Sequence, residues 1–148
     1  MTPSTKLGIS AVLVVILVLL RGDSSAVARD LASNSFGGLW ERTTVILYNH
    51  LGAAVTHHCR SKDNDLGIHV LQQGQSWNFS FSPDVFFKTL FYSSFQWDGQ
   101  VRYFNVYQGS RDFGFKVVSW RLKPTGPCYI LGQDENCFHW KSAPGIST

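Results

Sequence analysis

His57, His58 and Cys59 stand side by side in the chain, with His69 downstream. Imidazole nitrogens and a thiolate are zinc ligands, and a cysteine supported by a histidine is also the pair used in thiol nucleophiles. The spacing argues against a metal centre, because neighbouring strand residues point to opposite faces and His57 and His58 do not reach one ion without a bulge. Strand residues flanking a disulfide cysteine are the simpler reading. The acids that could work in pairs on a glycosidic bond are Asp63, Asp65, Asp84, Asp98, Asp112, Asp134 and Glu135, all in turn-like or polar contexts suited to solvated carboxylates. Asp63-Asn64-Asp65-Leu66-Gly67 begins like a calcium loop but lacks the later glycine and glutamate that complete one, and Lys62 adds an opposing charge. A structural turn is expected there. The sequence carries no G-x-S-x-G elbow, no H-E-x-x-H and no nucleotide-binding glycine loop. Its 5 Trp, 5 Tyr and 11 Phe offer faces for a sugar, yet most fall on the apolar side of alternating runs, where core packing accounts for them. The expectation is therefore no catalytic residue, no cofactor and no metal.

These residues act in a compartment that the first 28 positions set. Lys6, an apolar run over residues 7–20 and Ala26-Val27-Ala28 have the layout of a secretory signal peptide cleaved before Arg29. The run is shorter than the about 20 residues a membrane-spanning helix needs, so no membrane insertion is expected after cleavage, an uncleaved anchor being the competing reading. The mature chain is then one domain's worth of residues. The formal net charge of +3 is small and its basic residues are scattered, so nucleic acid is not an expected partner. Export exposes Cys59, Cys128 and Cys137 to oxidising surroundings, which implies one bridge and one leftover thiol. Asn78-Phe79-Ser80 is a glycan acceptor tripeptide.

The elements that position these groups read as strands. Residues 29–42 are mixed and glycine-containing, a flexible arm. Residues 43–48 are β-branched and aromatic and end in a turn signal at Asn49-His50-Leu51-Gly52. Trp77, Phe79 and Phe81 alternate with polar residues, a period of two that no helix gives. Residues 89–97 place Phe91, Phe95 and Trp97 on one face, and Asp98-Gly99 supplies a tight hairpin before residues 101–107. Residues 115–122 form a further run, closed by Pro124, Gly126 and Pro127. Strand runs with turn residues between them and no helical period predict an all-β chain, a small two-sheet sandwich with a closed barrel as the alternative. The domain is expected over residues 43–141 and a frayed tail over 142–148.

The segment His58-Cys59-Arg60-Ser61-Lys62-Asp63-Asn64-Asp65-Leu66-Gly67-Ile68-His69 resembles the signature of the plant self-incompatibility S-protein homologues. Other pieces agree in order: residues 45–49, 77–81 and 89–97, then Tyr107, Arg111-Asp112, Trp120, Gly126-Pro127-Cys128 and Cys137-Phe138-His139-Trp140. The resemblance implies a secreted β-sandwich held by disulfides, with no known catalytic activity. Similar poppy proteins are stigma-borne ligands recognised by a receptor on incompatible pollen. The family usually has a cysteine where this chain has Ser93, which leaves one of the three cysteines without its partner. Closing the long loop from Cys59 to Cys137 would contribute about 4.5 kcal/mol, against roughly 2.7 for Cys128 to Cys137, so Cys59 is expected to join Cys137 and Cys128 to stay unpaired. A turn at Gly132-Gln133 leaves the short link open.

The expected function is that of a monomeric, non-enzymatic extracellular ligand recognised by a cell-surface receptor. Loops fixed by a rigid sandwich suit that task. Arg60, Ser61, Lys62, Asp63, Asn64 and Asp65 form the most polar loop and are the candidate contact residues. The alternative is a secreted carbohydrate-binding module or hydrolase.

Overall fold

Alternation of apolar and polar residues builds nine strands among the residues described by the computed structural model, 41–144. The expected signal peptide and most of the expected arm, as well as the end of the expected tail, lie outside these residues. The strands are β1 (Thr43–Asn49), β2 (Val55–Arg60), β3 (Asp65–Leu71), β4 (Ser76–Phe81), β5 (Leu90–Trp97), β6 (Gln100–Gln108), β7 (Val117–Lys123), β8 (Gly126–Leu131) and β9 (Asp134–Cys137). One helical turn, α1 (Gly109–Asp112), follows β6. A single turn is too short to print a helical period in the sequence.

Two sheets form, one ordered β4-β1-β7-β8-β9 and the other β3-β2-β5-β6. This is the expected sandwich, and β3 and β4 remain as open edges where a barrel would have closed. The β1 and β7 pair is parallel, with Val45 beside Val118 and Leu47 beside Trp120. The two pleated faces meet over a core in which Val45, Leu47, Val118, Trp120 and Leu122 pack with Val55, Phe95, Phe104 and Tyr107, all nearly or wholly buried. Phe81 on β4 reaches across to the other sheet, its ring 4.5 Å from Phe91 and 4.7 Å from Tyr107. Such ring pairs add to what burial alone contributes. The indole of buried Trp120 donates to the Val106 carbonyl at 2.8 Å, so its polar atom is satisfied.

Turn chemistry follows the sequence at Asp98-Gly99, whose φ values of 48° and 72° are the left-handed pair of a two-residue hairpin joining Trp97 to Gln100. The run expected from residue 115 instead starts at Val117, and Phe115 lies outside the strand with its ring exposed.

The disulfide differs from the expectation. Cys128 bonds Cys137, and Cys59 is the buried free thiol. Loop entropy ranked the bridges by what they remove from the unfolded chain, but register in the native sheets decides which sulfurs meet. Cys128 and Cys137 are direct partners on β8 and β9. Cys59 lies in the other sheet opposite Ser93, whose hydroxyl contacts the thiol.

Candidate functional site

The histidine and cysteine cluster divides between the two faces of its sheet. His57 and Cys59 are fully buried, while His58 points outward with its Nε2 2.6 Å from Asp65 Oδ1. The structure does bring His57 and His69 together, with ring centroids 5.5 Å apart and Trp77 closing the group at 4.6 Å from His57. His69 Nε2 lies 2.7 Å from the Leu66 carbonyl, and His57 Nε2 is buried with no hydrogen-bond partner. Burial, then the charges of His69 and His58, lower the His57 pKa to about 4. Burial pushes the Cys59 thiol up to about 12 even though Ser93 bonds it, so the nucleophilic thiolate is suppressed. Among the described residues, the metal-type side chains that gather as a group of three are Cys128, Glu135 and Cys137, and two of these are consumed in the disulfide.

Among the acids, Asp112 and Glu135 are likewise engaged. Asp112 is buried, takes two bonds from the Arg111 guanidinium at 2.8 and 2.7 Å, and accepts the Gln108 N–H at 2.8 Å. That guanidinium sits 4.8 Å from the Trp120 ring centroid and 5.4 Å from Phe104, so the pair anchors α1 onto the core. Glu135 pairs with Arg121 and Lys123.

What gathers at one end of the sandwich is loops. At the connection between β2 and β3 and the strand ends that flank it, four of the six candidate contact residues have structural roles. Ser61 N–H donates to the Asn64 carbonyl at 2.8 Å, Ser61 Oγ accepts the Asn64 N–H at 3.1 Å, and Arg60 lies over the Tyr92 ring at 5.7 Å. Asp65 accepts the Gly67 N–H at 2.9 Å as well as facing His58, and these two bonds, the first the larger, lower its pKa. Lys62 and Asp63 are left at the tip. They line a cleft of about 340 Å³ whose other wall is built from Ser82, Asp84 and the run from Lys88 to Phe91.

That second wall is the part sequence reasoning missed. Asp84 Oδ1 accepts the Phe86 N–H at 2.6 Å, the Asp84 carbonyl accepts the Phe87 N–H at 3.2 Å, and the Asp84 N–H donates to Thr89 Oγ1 at 2.7 Å. The loop carries Phe86 at 72% exposure and Phe87 at 54%. Ser82-Pro83-Asp84 was a readable turn signal, but two adjacent phenylalanines read as core by default. Asn78 is exposed on the edge strand β4, accessible from solvent.

Comparison with known proteins places this geometry. The family model described as plant self-incompatibility protein S1 matches residues 44–140. S-protein homolog 5 of Arabidopsis thaliana is 43% identical over 75% of this chain and 90% of its own length. S-protein homolog 2 of the same plant is 36% identical over 69% of this chain and 70% of its own. A solved structure of an SPH (self-incompatibility protein homologue) protein, from a family described as small, highly stable, secreted proteins from plants, superposes with a TM-score of 0.56. It covers 70% of this chain and 97% of its own at 13% identity, a likeness of fold. With most of the domain matched by that family model, the chain belongs to the plant self-incompatibility S1 family of S-protein homologues.

Proposed function

We propose that this chain is a secreted, non-enzymatic ligand recognised by a cell-surface receptor protein. The observation that carries the reading is the loop end of the sandwich, where internal hydrogen bonds hold the backbone while Lys62 and Asp63 project free of them. Preformed loops lose little freedom on binding, which is what a recognition surface needs. Supporting the non-enzymatic part, the thiol and imidazole best suited to chemistry are buried and held in their neutral forms. Export follows from the signal-like leader, and the family-level description of its structural neighbour as secreted agrees with it. Exposure of Asn78 fits a glycan there, which a glycosidase shift on the secreted protein would reveal.

The test replaces Lys62 and Asp63 together by Ala. Binding to cell surfaces should weaken while the melting temperature stays within about a degree, because neither side chain supports the turn. A lower melting temperature with unchanged binding would return these residues to a structural role. Saturable binding to isolated glycans, or turnover in a hydrolase screen, would favour the carbohydrate reading instead.

A further inference from the structure

Phe86 is exposed by a backbone that is held at a cost. Its neighbour Phe87 has φ of 60°, a left-handed conformation that a bulky residue rarely adopts. Three contacts keep it there. The Asp84 turn bonds both N–H groups, the Phe87 ring meets Phe113 edge-on at 4.6 Å, and α1 begins with Gly109 pressed on the Phe87 backbone. A Cβ at Gly109 would lie 2.4 Å from the Phe87 carbonyl oxygen, so only glycine permits the approach. The outcome is a rigid loop that turns the Phe86 ring outward, with Lys88 Nζ 5.7 Å from its centroid. Phe115, Val117 and Leu131, also exposed, sit at the same end of the sandwich.

The charges beside the ring select the kind of partner. Lys62 and Lys88 line the adjoining cleft together with Asp63 and Asp84, two of each sign. That balance gives no net attraction to an anionic bilayer or a polyanion. An exposed aromatic anchor with a rim of both signs has the make-up of a protein interface, where a few rigid aromatic side chains carry most of the affinity. We propose that Phe86 is the anchor by which this chain docks on a folded protein partner. The partner offers an apolar pocket for the ring and side chains of both signs to the cleft between residues 61–64 and 82–89. The inference rests on the ligand reading above and names the surface and the chemistry of its partner.

The experiment uses protein secreted from the full-length chain, labelled and titrated onto plant protoplasts, trypsin-treated protoplasts and phosphatidylcholine vesicles containing phosphatidylserine. Saturable, trypsin-sensitive binding is expected, weakened at least tenfold by Phe86→Ala and also by Lys88→Glu, both with unchanged melting temperature. Ile68→Ser, on the outer face of the other sheet's edge, should bind as the native protein does. Native-like binding by both loop variants would overturn this inference and leave the ligand reading standing. Absence of trypsin-sensitive binding by the native protein would overturn both. Binding to vesicles, or cell binding that survives trypsin, would replace the protein partner with a lipid or a glycan.

Discussion

At the scale of the residue, Ser93 shows how one substitution redistributes sulfur chemistry. It faces Cys59 across β2 and β5, and its hydroxyl already touches the thiol. Ser93→Cys should therefore close a second bridge without moving the backbone. With the two positions 34 residues apart, the chain-entropy model gives about 3–4 kcal/mol of added stability. An intact mass lighter by two hydrogens and a higher melting temperature, both reversed by reductant, would verify it. The second residue-scale prediction concerns His57, whose pKa falls from 6.5 to about 4 on folding. Above 6.5 neither state binds the proton and the fold keeps its full stability. As pH drops from 6.5 to 4 only the unfolded chain takes the proton, so stability declines by up to about 3 kcal/mol. Unfolding in urea at both pH values should show that loss, and His57→Phe should remove most of it. The opposite faces of His57 and His58 were legible from strand period alone. The pairing of His57 with His69 was not, since it depends on which strand lies next to which.

Among the elements, α1 shows where sequence reading stops. Its four residues carry no periodicity, yet Arg111 and Asp112 tie the end of β6 to the aromatic core. Removing one member of a buried charged pair leaves the other without compensation. Asp112→Asn should cost about 3 kcal/mol, seen as a lower urea midpoint with an unchanged slope. Arg111→Lys should also destabilise, because an ammonium lacks the planar fork that meets both carboxylate oxygens while lying on the rings. A normal midpoint in either variant would mean the pair is incidental. By contrast, the hairpin at Asp98-Gly99 was plain in the sequence, because two left-handed residues in a row leave few alternatives. The loop over residues 82–89 was half legible: its turn chemistry could be read, but its exposed phenylalanines could not, because aromatic side chains pack inward unless a specific backbone prevents it.

For the whole molecule, alternation was enough to specify strands with one buried side, while two layered sheets and a closed barrel share that period of two. It says nothing of strand order, and the same limit misassigned the disulfide. The native bridge spans only 9 residues, so its loss should cost about 2.7 kcal/mol and leave the sandwich folded. Far-ultraviolet circular dichroism should retain its strand signature in reductant while the thermal midpoint falls. Collapse on reduction would show that the hydrophobic core is insufficient alone. The parallel seam between β1 and β7 has a further consequence during synthesis. The first of the described strands must wait for β7 before both its flanks are hydrogen-bonded, so nascent chains stopped short of residue 117 present a raw edge that a neighbour can fill. Synthesis must therefore deliver most of the polypeptide before the sheet can zip shut, which makes early truncation a route to clumping.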